Sequence, residues 1–81
     1  MNEEIFSKVK KLISYQLGVE EAEIAPSSHL QEDLNADPLS IADLIVGLET
    51  EFNIKIPKEQ IGGFSTVEDI LNFISDQTGE I

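Results

Sequence analysis

Three features of the 81-residue sequence predict an all-α fold, organised as a single helical domain over residues 1–81. Apolar residues recur at three- and four-residue steps in three separated stretches, the pattern of helices that bury one face. Residues suited to start or stop helices, Gly18, Asp37 and Thr66 among them, stand at the edges of those stretches. Hydrophobic content is 41% and cysteine is absent, so a chain this small has to hold itself together by well-packed helices and not by disulfide staples.

Residues 2–16 carry the first period. Ile5, Phe6, Val9, Leu12, Ile13 and then Leu17 share a face, while Lys8, Lys10 and Lys11 lie off it, which predicts a helix near 3–16 that Gly18 stops. Residues 19–36 contain Pro26, Ser27, Ser28 and Asn35 and no clean period, so they read as a loop, with Ile24, Leu30 and Leu34 pinning it to the core. Loops of this length inside a compact domain are unusual and tend to be functional.

The second helix runs from Pro38 to Phe52, with Asp37 as its cap and proline in the first helical position. Asn53 and Pro57 bracket a short extended link, "NIKIP". Residues 58–61 form a helical turn that Gly62 and Gly63 end. The last helix spans about 66–76, capped by Ser65 or Thr66, with an acid in its first turn and Val67, Ile70, Leu71 and Ile74 as its apolar stripe. The tail "QTGEI" is expected to fray.

The helix from Pro38 has two apolar sides. At ~100° per residue, Ile41, Leu44, Ile45, Leu48 and Phe52 cluster into a core face. Leu39 and Val46 lie opposite, on a stripe shared by Asp43 and Thr50 and flanked by Glu49. Isolated surface apolar residues are ordinary. The alternative is a small docking patch, apolar at its centre and acidic at its rim, for a basic partner. Spacing alone leaves both readings open and leans to the first.

Charge narrows the function classes. Sixteen acids stand against five basic residues, giving −11, and every one of the five is lysine. Such a surface repels nucleic acid and anionic membrane and attracts basic partners. No segment is apolar enough to span a bilayer, and the first residues, "MNEEIFSKVKK", lack a secretory h-region, so a cytoplasmic protein or an imported organelle protein is expected.

Catalytic constellations are scarce. His29, beside Ser27 and Ser28, is the one histidine, and sequence neighbours of this kind rarely make a nucleophile–base pair. Ligands for zinc are too few. Asp33, Asn35 and Asp37 imitate the alternating ligands of a calcium loop, but the turn glycine falls on Pro38 and the closing glutamate on Leu44. There is no glycine-rich phosphate loop. An enzyme and a metal site are therefore not expected.

Along nearly its whole length the chain resembles the acyl carrier proteins of the fatty-acid-synthesis type. The matching stretches are "VKKLISYQLGV", "EDLNADPLSIADLIVGLETEFNIKIP" and "STVEDILNFI". "EDLNAD" followed by Leu39, then "LETEF" and "IP", form a specific signature. The resemblance implies a four-helix bundle with a long first loop and a short third helix. It also implies a carrier of acyl intermediates in fatty acid biosynthesis, a cytoplasmic monomer and not an enzyme. In that family a serine at the start of the second helix carries 4′-phosphopantetheine, whose thiol holds acyl chains as thioesters. Asp37, Leu39, Asp43, Val46 and Glu49 then correspond to the partner-recognition positions, which meet basic patches on acyl-processing enzymes and on a phosphopantetheinyl transferase. Leu48, Phe52, Ile56, Ile61 and Phe64 correspond to the region that shelters the acyl chain.

The departure lies in the attachment motif. Asp37-Pro38-Leu39 stands where the family has Asp-Ser-Leu, and proline has no hydroxyl to esterify. Structurally the change is mild, because a first-turn N–H has no intrahelical partner to lose. Loading at position 38, and with it the cofactor, is therefore expected to be absent. Ser40 is a weak substitute, since it points ~200° away from position 38 around the helix. Two other readings stay open: an interaction module that docks on acyl-processing enzymes without an arm, and a peptidyl-type carrier, against which the acidity and "LETEF…IP" weigh.

Overall fold

A computed structural model describes residues 3–79. In chain order it contains α1 (Glu3–Leu17), a 3-10 turn (Glu21–Glu23), α2 (Pro38–Phe52), α3 (Lys58–Ile61) and α4 (Val67–Thr78). The described residues contain no strand; an isolated antiparallel bridge joins His29 and Thr66. The four helices, the long first loop and the short third helix agree with the sequence reading.

Helix α1 opens on Glu3 and Glu4, whose charges complement the positive end of the helix dipole. Ile5, Val9 and Ile13 are buried, while Phe6, Leu12 and Leu17 pack half-buried along the flanks of the stripe. Gly18 ends the helix in a left-handed conformation (φ +70°) that costs glycine nothing, and its N–H donates to the Ser14 carbonyl at 2.9 Å. Helix α1 packs on both α2 and α4.

The loop from 19 to 36 is more ordered than its lack of period suggests. It contains the 3-10 turn, and it buries Ala36 and Ser28 besides the expected Ile24, Leu30 and Leu34. Ser28 is buried without penalty because its Oγ accepts from the Ala25 N–H at 3.0 Å. The loop also completes α4. The first N–H groups of a helix have no partner inside it. Here the Val67 N–H donates to the Ser28 carbonyl at 3.0 Å and the Glu68 N–H to the Pro26 carbonyl at 2.9 Å. In return the Leu30 N–H donates to the Ser65 carbonyl at 2.9 Å.

Of the two candidate caps for α4, Thr66 takes the role. Its Oγ1 accepts from the Asp69 N–H at 3.3 Å, and the Asp69 carboxylate accepts from the Thr66 N–H at 3.1 Å and the Ser65 N–H at 2.9 Å. This is a reciprocal capping box. The expected fraying of residues 77–81 is corrected for Gln77 and Thr78. Both are helical, the Thr78 hydroxyl donating to the Ile74 carbonyl at 2.9 Å. Glu80 and Ile81 lie outside the described residues.

The N–H groups of Ser65 and Thr66 hold the Asp69 carboxyl below the usual carboxylate range. A carboxyl with a depressed pKa stabilises the fold above its unfolded pKa, and that contribution is lost as pH falls through the folded value. Asp69→Ala is therefore expected to be less stable than the parent at pH 7, with the gap closing below about pH 4. Denaturant melts of both proteins between neutral and acidic pH read this directly, and a gap constant across that range contradicts it. Loss of the cap itself, in Thr66→Ala, is expected to cost about 1 kcal/mol.

The charge of −11 is barely offset. The Lys8–Glu51 ion pair between α1 and α2 spans 3.9 Å with both side chains about half exposed, a geometry that contributes little. Repulsion among exposed carboxylates therefore opposes compaction, and salt screens it within a Debye length of ~10 Å at 0.1 M. The melting temperature is expected to rise from low salt to about 0.3 M, or on adding millimolar magnesium. A flat or falling curve contradicts this account.

Candidate functional site

The start of α2 is fixed by its own sequence. Asp37 adopts an extended N-cap conformation (φ −95°, ψ 170°), and its Oδ1 accepts from the Ser40 N–H at 2.8 Å. The Asp37 carbonyl accepts the first intrahelical bond, from the Ile41 N–H at 3.0 Å. Bonds from the Ser40 N–H and then the Ser40 hydroxyl lower the Asp37 pKa, so its carboxyl stays ionised. Pro38 occupies the first position of the helix, where its ring suits the required φ and its missing N–H breaks no bond. Asn35, with φ +57°, turns the chain into the cap, and the Ala36 N–H donates to the Leu30 carbonyl at 2.8 Å.

Chemically this corner offers an exposed carboxylate and a saturated ring. Pro38 has no oxygen that could form a phosphodiester. Ser40, the nearest hydroxyl along the helix, is half-buried and engaged with Asp37. The residues present therefore do not fit a phosphopantetheine attached at position 38.

Along α2 the structure brings Leu39, Asp43 and Val46 onto one exposed face. Leu39 is 72% exposed and Val46 60%, against 0% for Leu44 and Leu48 on the other side. Asp37 is exposed at the N-cap, just ahead of α2. Glu49 differs from the other four. It is half-buried, and its Oε2 accepts from the Ile56 N–H at 2.8 Å, across the turn that ends α2. Sequence periodicity gives no sign of this bond, because it joins residues seven apart through a non-helical link. A carboxylate in such a bond is a stronger acceptor than a neutral group, contributing about 1.5–3 kcal/mol.

The five residues matched to the acyl-sheltering region lie on the core. Leu48 and Ile56 are buried, and Phe52, Ile61 and Phe64 pack half-buried against them and their neighbours. Phe64 meets Phe73 edge-to-face with ring centroids 5.7 Å apart. It also borders a groove of about 410 Å³ with His29, Glu32, Gly62 and Ser65, between the first loop and the entry to α4. His29 faces Glu32 there at 3.6 Å. Among the described residues, no three His, Cys, Asp or Glu side chains gather as a metal site, and no helix is long and apolar enough to cross a membrane.

Comparison with known proteins gives a consistent family. Residues 7–74 match the model described as the phosphopantetheine attachment site. The chain is 49% identical over 78 residues to the acyl carrier protein of Borreliella burgdorferi (strain ZS7), covering 96% of this chain and 98% of that protein. It is 43% identical over 77 residues to the acyl carrier protein of Thermotoga maritima, covering 95% of each. A solved structure of the acyl carrier protein from Enterococcus faecalis superposes with a TM-score of 0.78 at 31% identity, covering 93% of this chain and 95% of that one. With a matching family model, relatives this similar over nearly their full length and the same helical bundle, the chain belongs to the acyl carrier proteins, carriers and not enzymes.

Proposed function

We propose that this chain is an acyl carrier scaffold of fatty acid biosynthesis that retains the partner-facing surface of α2 but cannot be loaded at position 38. One observation carries the reading. Pro38 sits at the first helical turn between a formed Asp37 cap and an exposed Leu39, so the surroundings of an attachment site persist without an acceptor oxygen. Asp37, Leu39, Asp43, Val46 and Glu49 then recognise basic patches on acyl-processing enzymes and on a phosphopantetheinyl transferase. Leu48, Phe52, Ile56, Ile61 and Phe64 line the side of the bundle that shelters an acyl chain. The net charge of −11 favours a monomer, since like-charged copies repel and basic partners are drawn in.

The test is chemical. Incubated with coenzyme A and a broad-specificity phosphopantetheinyl transferase, the chain is expected to gain no mass. A gain mapped to Ser40 overturns the reading and makes Ser40 a relocated attachment site. A second reading, an interaction module that docks without ever carrying an arm, draws on the same exposed face. It moves ahead if restoring a serine at position 38 fails to restore loading.

A further inference from the structure

The link between α2 and α3 hangs on one residue of the docking face. The carbonyl of Glu49 accepts from the N–H of Asn53 and from that of Ile54 at 3.1 Å, and its carboxylate accepts from the Ile56 N–H at 2.8 Å. Asn53, at φ +54°, turns the chain left-handed and brings Ile56 back beside the end of α2. Ile56 is thereby set into the core, at 6% exposure. Helix α3 follows at once. It is four residues long, buries none of them fully and has no side-chain cap at Pro57, so its placement depends on the link before it.

We propose that Glu49 is a positioning residue that ties the outer face of α2 to the 53–57 link, and that an arginine of a docking partner releases the link by taking the Glu49 carboxylate. The second half rests on the docking reading above; the first does not. The carboxylate has two oxygens, and Oε2 is engaged with Ile56. An ammonium is a point charge and can be satisfied at the other oxygen with the Ile56 bond in place. A guanidinium binds both oxygens side-on as a planar fork, which turns the carboxylate out of its seat toward the partner. Docking and mobility of the link are then coupled through one side chain, with Ile56 and Ile61 on the moving side.

Amide hydrogen exchange at Ile56 tests the first half in the full chain. Glu49→Ala is expected to speed exchange at Ile56 by about tenfold or more, as the loss of a charge-assisted bond implies. Glu49→Gln, which keeps an acceptor oxygen, speeds it less. Asp43→Asn, which removes an outer-face charge and no link bond, leaves it unchanged. Exchange at the Leu44 and Leu48 amides serves as the internal reference. An Ile56 rate in Glu49→Ala within twofold of the parent, or an equal rise at Leu44 and Leu48, overturns the positioning role.

The second half is read by adding two matched amphipathic helical peptides, one bearing arginines and the other lysines on its polar face, with binding followed by fluorescence anisotropy. Faster exchange at Ile56 in the arginine complex than in the lysine complex supports release. A bound arginine peptide with unchanged exchange overturns the coupling and leaves the docking reading standing. Binding by neither peptide overturns the docking reading and the coupling with it, while the variant measurements still decide the positioning role.

Discussion

Pro38→Ser is expected to be fully loaded with phosphopantetheine where the parent chain is expected to take none, with the fold nearly unchanged. Position 38 is exposed at the first turn of α2, where the positive end of the helix dipole favours a phosphate. The new hydroxyl arises next to an Asp37 that is already capping and ionised. Productive attack tolerates a misplacement of only about 1 Å, so the new oxygen at position 38 is expected to succeed where the one at Ser40 is expected to fail. Removing proline frees the unfolded chain at a cost of about 0.4–1 kcal/mol. At roughly 4–8 °C per kcal/mol for a domain of this size, melting falls by only a few degrees. Intact mass and a thermal melt check both parts.

Leu30→Ala is expected to be the more damaging change, although it lies in the long loop. Leu30 is 1% exposed, and its backbone joins the loop to Ser65 on one side and Ala36 on the other. Truncating a buried leucine costs about 2–5 kcal/mol, the spread reflecting how far the site collapses. For this chain that lowers the melting temperature by on the order of 10–20 °C or more. The loop supplies carbonyls to the first N–H groups of α4, so amide exchange at Val67 and Glu68 is expected to accelerate as well. Tyr15→Ala, at a side chain 83% exposed, is the control and is expected to change stability by less than about 0.5 kcal/mol. Equal effects of the two substitutions contradict the placement of the loop.

The helices were legible because their burial is periodic. The stripe on α4 is buried at all four of its expected positions, and the start of α2 could be set at Pro38 because a cap and a proline each act locally. The loop was less legible because its order comes from pairings distant in sequence. Nothing in "EIAPSSHL" indicates that Ser28 and Pro26 accept from Val67 and Glu68. The α2 face shows the same division. Exposure of Leu39 and Val46 follows from helical spacing, whereas the inward turn of the Glu49 carboxylate depends on where Asn53 sends the chain. The positions matched to an acyl-sheltering region rest on family resemblance, and the structure adds only their packing on the core.

If the recognition surface survives where the acceptor does not, a competition in one tube reads both halves. The chain as it stands and its Pro38→Ser variant are mixed with coenzyme A and limiting phosphopantetheinyl transferase, and each is followed by intact mass. The serine form alone is expected to gain mass, and an excess of the proline form is expected to slow that gain. Asp43→Lys placed in the proline form is predicted to abolish the slowing. Mass gain on the proline form contradicts the missing acceptor, and an undiminished rate in its excess contradicts the surviving surface.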